Sequence, residues 1–405
     1  MSNLNTAVVE EIAQKCLNLY DKLPKTGKPS DVEWTVLSCV VKYDVNNGDT
    51  DVVSLGTGSK CIGATKMSSK GDILNDSHAE IFARRGFLLY LYENIFSCLE
   101  TEPSIFTKVD GKFQVKSNIE FIFYSSQLPC GDASILPRSL EEDNFGDILK
   151  TNKRRIEEEG ASSKRIRLET DIHRTGAKCL PNSDQDLKEA GINYHIVGQV
   201  RTKPGRGDQT LSVSCSDKMA KWIHLGIQGS LLDMLCEPIY IKHFIFGAGV
   251  PYSEESLKRA LFNRVLPDPM LPSYVKPMFH QTLLVFPKIK TEINVRPASG
   301  SIVYLEVAVQ GKKLGVTKKN ANLPSSSLCI SKYNIYKRFM SIAQNIPEVK
   351  EKLIVQENII IPYSQMKSKS LEYRKKWLLV KELFFKTWTI KPDMWDFCLS
   401  NKCIS

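Results

Sequence analysis

The segment LNDSHAEIFARR, residues 74–85, contains a histidine and a glutamate at the predicted beginning of a helix. Ser77 is a residue type that caps helices, and apolar residues recur at near-helical spacing between Ile81 and Tyr92. Successive residues of a helix are turned by about 100°, so the side chains of His78 and Glu80 point in different directions. The segment therefore offers one candidate metal ligand and one carboxylate that is free to move protons.

Two later segments present cysteines beside turn and helix-start signals. Pro129-Cys-Gly-Asp132 follows a strand-like run at Ile119 to Tyr124 and forms a turn that can open another helix, and Cys215 lies in the segment 214–218. Zinc favours tetrahedral nitrogen and sulfur ligands, and a hydrolytic site keeps one position for water. His78, Cys130 and Cys215 are therefore a sufficient ligand set. Each lies near a predicted helix start, where the helix dipole favours a thiolate.

Glu80 is positioned for proton transfer. A zinc ion lowers the pKa of its water ligand to about 7, and a neighbouring carboxylate can accept that proton and deliver it to a substrate. Alternatives remain for each piece alone, because His-x-Glu occurs by chance, a buried cysteine is usually a small core residue and Pro-Cys-Gly is a common turn. Together they match a deaminase signature, with the departure that Ala133 replaces the usual second cysteine and Cys215 follows 85 positions after Cys130.

Length and composition predict a globular protein. The chain has 405 residues, of which 42% are hydrophobic, enough for one large domain spanning residues 1–405 or for two closely packed lobes. Its 11 cysteines follow no apolar leader segment, which favours a reducing compartment over a disulfide framework. Apolar runs stay short of the roughly 20 residues that cross a bilayer. We therefore expect a soluble intracellular protein of the nucleus, the cytoplasm or both, with no membrane association.

The net charge of +10 is concentrated at the C-terminal end. Residues 311–405 contain 18 Lys and Arg against 7 Asp and Glu, a local excess of +11. Such an excess indicates a partner rich in phosphate, either a nucleic acid or a phosphorylated ligand, because anions or water must screen like charges. A solvated basic surface without a partner is the alternative.

The remaining pattern predicts local elements around these motifs. An amphipathic helix is expected at Thr6 to Leu23, and strands are expected at Trp34 to Tyr43 and Asp51 to Leu55. A segment at about 144–177 is predicted to be a flexible insertion, with ordered pattern resuming near Tyr194. Its basic clusters within 153–167 could be a bipartite nuclear signal or simply solvated charge.

Several longer motifs resemble one family. They are GTGSKCI at 56–62, LNDSHAEIFARR at 74–85, RTKPGRGD at 201–208, SCSDK at 214–218, and Trp222 followed by GIQGS at 226–230. Together they resemble the deaminase domains of RNA-editing adenosine deaminases and of their eukaryotic tRNA-specific relatives. No double-stranded-RNA-binding module precedes the motifs, which favours the tRNA-specific branch. The resemblance covers nearly the whole chain.

The resemblance implies a fold and a reaction. The fold is α/β, with a cytidine-deaminase-like central sheet, helices on both faces and a basic C-terminal helical part that encloses a polyanion. The reaction is zinc-dependent hydrolysis of the amidine C–N bond of adenosine, which releases ammonia and leaves inosine. The implied substrate is the adenosine immediately 3′ of the anticodon in an alanine tRNA, with no obligate protein partner.

The family also implies a buried inositol hexakisphosphate, and the basic C-terminal quarter supports that inference independently, because a polyanion needs many donors. The residues that would contact it are Asn75, Arg84, Arg85, Lys218, Lys221, Trp222, Ser230, Lys332, Tyr363, Lys367, Tyr373, Trp388 and Lys391. Core packing and solvated helix faces are the structural alternatives for these side chains. Two positions depart from the family pattern, since Trp377 replaces an expected lysine and Ile390 an expected glutamate.

The substrate side is implied by resemblance alone. Ser59 and Lys60 match a loop beside the target nucleotide, and Arg206 occupies the position of a base-flipping glutamate, where it could act as a wedge or a phosphate clamp. Lys203 is included among the substrate-side residues, and with Asp76 it also resembles a relay between zinc and polyanion. Deamination of double-stranded RNA or of cytidine, and an inactive RNA-binding protein with a structural zinc, remain the alternatives.

Overall fold

The central element is a mixed sheet whose eight strands come from most of the chain. The computed structural model describes residues 4–138, 171–205, 208–264, 269–271, 274–353 and 361–399. The strands are β1 (Leu37–Asp44), β2 (Thr50–Thr57), β3 (Ile119–Ser125), β4 (Ile241–Ala248), β5 (Met278–Val285), β6 (Gly300–Val303), β7 (Glu306–Val309) and β8 (Lys312–Lys313).

The spatial order of the sheet is β5-β4-β3-β1-β2-β6-β7-β8. β3, β4 and β5 are mutually parallel, whereas every other neighbouring pair is antiparallel. The inner parallel strands, β3 and β4, are mostly apolar, and their Phe121–Ser125 and Phe244–Phe246 stretches are buried. This pattern is typical of strands covered on both faces.

Helices cover both faces of the sheet, which confirms the α/β class. The helices of the described residues are α1 (Thr6–Lys22), α2 (Ala79–Leu99), α3 (Cys215–Leu225), α4 (Gly229–Asp233), α5 (Glu254–Leu261), α6 (Lys332–Ala343), α7 (Pro347–Leu353), α8 (Tyr363–Ser368) and α9 (Leu371–Val380), followed by a π-helical turn at Lys381–Phe385. α1 packs in one core layer with Tyr124 and Ile245, whereas α2 and the C-terminal helices pack in the larger layer on the other side.

α2 is the most enclosed helix near the site. Twelve of its 21 residues are buried, including Glu80, Phe82 and Phe87, and its apolar residues are spread around the helix instead of along one stripe. It lies on β1 and β2 on one side and contacts α6 on another. α9 contacts α3 and α4, so the C-terminal helices close over the helices that carry the predicted site residues.

Short strand pairs position the loops around the sheet. They join Glu33–Trp34 with Arg296–Pro297, Ser59–Cys61 with Asp76–His78, Phe106–Val109 with Lys112–Val115, Leu136–Pro137 with Ile172–His173, and Lys178–Cys179 with Arg201–Thr202. Short 3-10 turns lie at Ala64–Lys66, Asp132–Ser134, Gly191–Tyr194, Pro324–Ser326 and Asp393–Trp395. The pair that ends at His78 leads directly into α2.

Several predicted elements are confirmed, and others need correction. The opening helix is present at Thr6–Lys22, whereas the first predicted strand is divided between Glu33–Trp34 and β1. The expectation that Ser77 caps α2 was wrong, because Ser77 lies in a strand and His78 is the N-cap residue. Order resumes earlier than Tyr194, since Ile172–His173 already pairs with another strand.

The remaining part of the predicted insertion, 144–170, and the basic clusters at 153–167 lie outside the described residues. Within the described parts of the chain, no helix combines the length and the apolar character needed to cross a bilayer.

Candidate active site

His78, Cys130 and Cys215 come together although they lie far apart in the chain. The Nδ1 atom of His78 is 3.8 Å from the Sγ atom of Cys130 and 3.7 Å from that of Cys215. All three candidate ligand atoms lie within 4.8 Å of one another. Among the described residues this is the one cluster of three or more His, Cys, Asp or Glu side chains that could hold a metal ion.

The local structure explains why these side chains converge. His78 is the N-cap residue of α2, and Cys215 is the first residue of α3, so each lies at the positive end of a helix. Cys130 differs from the prediction, because no α-helix follows it. The chain instead makes a short 3-10 turn at Asp132–Ser134, and the backbone amide of Cys215 donates to the Cys130 Sγ over 3.3 Å.

The cluster fits a zinc ion. Tetrahedral coordination with ordinary Zn–S and Zn–N bond lengths requires nitrogen and sulfur ligands to lie about 3.6 Å apart. The two observed Nδ1–Sγ distances, 3.8 and 3.7 Å, are close to that value. A hydrogen bond from the Cys215 thiol holds the pKa of Cys130 well below its ordinary value, whereas burial raises the pKa of Cys215. One histidine and two cysteines leave a fourth position for water or substrate.

Glu80 is enclosed beside this cluster. Its side chain is only 2% exposed, and its Oε2 atom has no hydrogen-bond partner among the described residues. Burial raises the pKa of the carboxyl group, because ionisation is disfavoured away from water. A buried carboxyl group with an unsatisfied oxygen can accept and return a proton.

A buried relay of charges extends from Cys215 away from the cluster. The Lys203 Nζ atom donates to the Cys215 Sγ over 2.9 Å and forms an ion pair with Asp76. Lys218 also pairs with Asp76, and these two lysines lower the pKa of the Asp76 carboxyl far below its ordinary range despite burial. Lys203 is 1% exposed, and its predicted contact with the substrate stays a prediction.

The two cysteine segments are also joined directly. The Ser216 Oγ donates to the Cys130 carbonyl over 2.7 Å and accepts from the Ala133 amide over 3.2 Å. Gly131 has φ of +103°, and a Cβ atom there would lie 2.2 Å from the Ser214 Oγ. Only glycine suits both the backbone conformation and the close approach of the two segments.

A second region is a cavity of about 320 Å³ between α2, α3, α4 and the C-terminal helices. All thirteen residues predicted to contact a polyanion border it: Asn75, Arg84, Arg85, Lys218, Lys221, Trp222, Ser230, Lys332, Tyr363, Lys367, Tyr373, Trp388 and Lys391. Asp76 borders it too, so the relay from Cys215 ends at the cavity wall. Tyr92, Ser212 and Gln228 also line it and were not predicted.

The cavity wall is strongly cationic. Seven lysine and arginine side chains line it, against the single carboxylate of Asp76. Burial, together with the nearby Lys391 and Arg85, lowers the pKa of Lys332 to about 6. Burial and Lys218 likewise lower the pKa of Lys391 to about 8. These cations therefore destabilise one another unless anionic charge lies among them.

Two buried donors at this wall lack partners among the described residues. They are the Nδ2 atom of Asn75 and the Nη2 atom of Arg85. The guanidinium of Arg85 is held through its Nε atom, which donates to the Ile330 carbonyl over 2.6 Å. Buried donors are nearly always satisfied in folded proteins, so these two atoms indicate a ligand rich in acceptors.

Comparison with known proteins gives the family. The adenosine-deaminase (editase) domain matches residues 54–392, which include the metal cluster, Glu80 and the cavity wall. The chain belongs to the adenosine-deaminase (editase) family. It is therefore a deaminase, and His-x-Glu and the two separated cysteines are its candidate catalytic site.

The match to curated relatives covers nearly the whole chain of this deaminase. It is 36% identical to tRNA-specific adenosine deaminase 1 of Drosophila melanogaster, over 97% of this chain and 98% of the relative. It is 31% identical to the Homo sapiens protein of the same name, over 95% and 98%. The similarity to the double-stranded RNA-specific editase Adar of Drosophila melanogaster, 33% identity, covers 56% of this chain and 31% of the relative.

The two departures from the family pattern have different outcomes in this deaminase. The ring of Trp377 lies 3.5 Å from the Nζ atom of Lys221 and packs edge-on against Trp388. An aromatic face here stabilises a buried ammonium that another lysine would repel. Ile390, by contrast, is 78% exposed and does not border the cavity.

Two of the substrate-side residues, Ser59 and Lys60, lie on the short strand that pairs with Asp76–His78. Ser59 pairs with His78 in the short antiparallel ladder, and its buried Oγ has no hydrogen-bond partner among the described residues. The Lys60 Nζ donates to the Ser299 Oγ over 3.3 Å. Arg206 lies outside the described residues, but Asp208 just after it accepts two hydrogen bonds from Thr65.

Sequence reasoning missed several buried residues around the cysteines. Asp132, Ser216 and Asp217 lie within two residues of a candidate ligand and are fully buried. One signal was available, because an aspartate follows each cysteine by two positions, at Cys130-Gly-Asp132 and Cys215-Ser-Asp217.

Proposed function

We propose that this protein is a zinc-dependent deaminase that converts adenosine to inosine in tRNA. The observation that carries the reaction is the cluster of His78, Cys130 and Cys215 beside the buried Glu80. The tRNA-specific relatives, matched over nearly their whole length, support tRNA as the substrate class. The finer proposal is that the target is the adenosine immediately 3′ of the anticodon in alanine tRNA.

The metal would be held by the Nδ1 atom of His78 and the two cysteine sulfurs. A bound zinc ion supplies Lewis acidity that makes a water molecule nucleophilic near neutral pH. Lys203 donates to the Cys215 Sγ and so stabilises negative charge on that sulfur. Asp76, which also pairs with Lys218, holds the ammonium of Lys203 in place.

Glu80 would carry the protons of the reaction. Hydrolytic deamination at C6 of adenine requires a proton to be taken from the attacking water, one to be given to the ring nitrogen and one to the leaving amine. The raised pKa of the buried Glu80 carboxyl brings it closer to the range in which one group can accept and return protons. Its unsatisfied Oε2 atom is available for that exchange.

The target base must leave its stack to reach this enclosed site. Moving a base out of an unpaired anticodon loop costs less free energy than moving it out of a duplex, because no base pair has to be broken. Ser59 and Lys60 lie on the strand paired with His78, and Asp208, two positions after Arg206 in the sequence, accepts hydrogen bonds from Thr65. We propose that these two loops hold the flipped adenosine and its neighbouring phosphate.

The cationic cavity would hold inositol hexakisphosphate as a structural cofactor. Seven cations, one carboxylate and two unpartnered donors suit a ligand with many phosphate oxygens. Because Asp76 borders this cavity and contacts Lys203, the bound polyphosphate would also stabilise the charges of the relay. Mass spectrometry of the denatured protein tests this proposal, and absence of any phosphorylated ligand would contradict it.

The reaction is tested by incubating the purified zinc-loaded protein with an unmodified alanine tRNA transcript and reading A-to-G changes after reverse transcription. Inosine immediately 3′ of the anticodon is expected. A transcript with guanosine at that position, an RNA duplex and a cytidine substrate are the matched comparisons. Inosine in the duplex alone would mean that the substrate is double-stranded RNA and not tRNA. If no substrate gives product although zinc is bound, the remaining interpretation is an inactive RNA-binding protein.

A further inference from the structure

We propose that Asp132 and Asp217, each paired with an arginine at or just after the C-terminal end of α5, are positioning residues that fix the two cysteine ligands. The inference rests on the zinc site of the proposed function. Cys130 and Cys215 are separated by 85 positions, so chain geometry between them cannot set the distance between their sulfurs. Contacts across the two segments must do so instead.

Asp132 holds the turn that carries Cys130. Its Oδ1 atom accepts the Gly198 amide over 2.6 Å, and its Oδ2 atom pairs with the Arg259 Nε over 3.2 Å. Arg259 also donates to the carbonyls of Asp132 and Ile135, over 2.7 and 2.6 Å. The Asp132 side chain is fully buried, so the turn after Cys130 is clamped by one arginine and one backbone amide.

Asp217 holds the first turn of α3 in the same way. Its Oδ2 atom accepts the Arg201 amide over 3.0 Å and the Ser214 hydroxyl over 2.6 Å. Its Oδ1 atom lies 2.6 Å from the Arg264 Nη2, and both side chains are buried. Ser214 is the N-cap residue of α3, so these contacts fix the position at which the helix, and with it Cys215, begins.

The two clamps share their supports. Gly198 and Arg201 belong to one short segment, and Arg259 and Arg264 come from α5 and the residues just after it. Each carboxylate therefore accepts an amide from the same segment and forms an ion pair with an arginine of α5 or of the residues just after it. A displacement of either support moves both cysteines together, which preserves the separation of their sulfurs.

The charge balance supports a positioning role. A buried carboxylate near a thiolate would repel it, and each arginine neutralises its aspartate through an ion pair. Neither aspartate contacts the candidate ligand atoms themselves. They would therefore affect the metal by fixing the backbone positions of the two cysteines, as residues that orient metal ligands without contacting the metal do.

The test measures metal binding directly, without reference to deamination. Asp132→Asn and Asp217→Asn variants are compared with the native protein for the rate of zinc loss to a chelator and for the visible and near-ultraviolet spectrum of the cobalt-substituted protein. We expect zinc loss to accelerate by about 10- to 100-fold. We also expect the cobalt bands to shift, because the sulfur geometry changes.

The control variant is Glu120→Gln, which breaks the Lys242–Glu120 ion pair near the other end of β3. It should alter stability without altering zinc loss or the cobalt spectrum. If Asp132→Asn does not fold, Arg259→Lys tests the same contacts, because its guanidinium is partly exposed and its replacement leaves a cation near Asp132.

Zinc loss within twofold of the native rate in the folded variants would overturn the proposal, as would equal acceleration in Glu120→Gln. Native protein that binds neither zinc nor cobalt would overturn the zinc site and this inference with it. Native protein that binds metal normally but forms no inosine would contradict the proposed reaction and leave the positioning role standing.

Discussion

Replacing Lys332 by methionine should stabilise the ligand-free protein and destabilise the protein loaded with inositol hexakisphosphate. In the ligand-free cavity, burial together with Lys391 and Arg85 lowers the pKa of Lys332 from 10.5 to about 6. The ammonium therefore opposes folding when phosphate is absent. Phosphate oxygens reverse that effect, because the charged form of Lys332 then has partners.

The sign and size of the pH dependence follow from this shift. The folded-state pKa of Lys332 lies below its unfolded value, so its stabilising contribution is present above the unfolded pKa and is lost as the pH falls through about 6. One proton difference changes the free energy of unfolding by about 1.4 kcal/mol per pH unit. Raising the pH from 6.5 to 8.5 should therefore increase the free energy of unfolding of the ligand-free, unmutated protein by about 2–3 kcal/mol through Lys332.

The methionine variant should lack that gain. When the protein is loaded with ligand, the substitution should instead lower the free energy of unfolding by about 1.5–3 kcal/mol, the usual contribution of a hydrogen bond to a charged group. The assay is urea unfolding followed by tryptophan fluorescence, with zinc present throughout. Ligand-free protein is prepared by unfolding, desalting and refolding, and loaded protein by refolding with inositol hexakisphosphate.

Lys337→Met is the matched control, because Lys337 lies on the same helix and is exposed. It should change neither the pH dependence nor the response to the ligand. If Lys332→Met destabilises the ligand-free and loaded proteins equally at both pH values, Lys332 is an ordinary structural lysine. The reasoning that makes this cavity a polyphosphate site would then fail.

Three further predictions concern the metal cluster, the cavity wall and the substrate mouth. Glu80→Gln should keep its zinc, measured by atomic absorption, while inosine formation falls by about 10²- to 10⁴-fold; full activity would contradict the proton-transfer role. Trp377→Leu removes the aromatic face over Lys221 and should lower the free energy of unfolding by about 1–3 kcal/mol, combining the cation–π contact and lost packing. Unchanged unfolding would show that this contact contributes nothing. Thr65→Val removes the hydroxyl donor to Asp208 and should raise KM for tRNA several-fold with kcat nearly unchanged. A fall in kcat alone would instead connect that loop to the chemical step.

Short-range patterns in the sequence predicted the parts of this protein that depend on neighbouring residues. The helix at Thr6–Lys22 follows from its apolar spacing, and β3 follows from a short apolar run. The detail at element ends was less predictable. Ser77 is a good capping residue, yet it lies in the strand that pairs with Ser59–Cys61, because a ladder of backbone hydrogen bonds overrides a local capping preference.

The chemistry of the candidate site was also readable from residue types. A histidine and a glutamate two positions apart, followed later by Pro-Cys, match a deaminase signature and so indicate a hydrolytic metal site. The thirteen polyanion residues came from family resemblance, and they border one cavity although they are spread from Asn75 to Lys391. What they bind remains a proposal.

Tertiary packing decided everything that depends on residues far apart in the chain. Lys203 is buried between Asp76 and Cys215, which no local pattern could distinguish from a surface lysine. Trp377 covers Lys221 only because α9 packs against α3. Composition and motifs list the groups that can react, but distances, burial and the balance of buried charge arise only when separate segments pack together. Those quantities set pKa values and ligand geometry, and so decide which of the groups form a site.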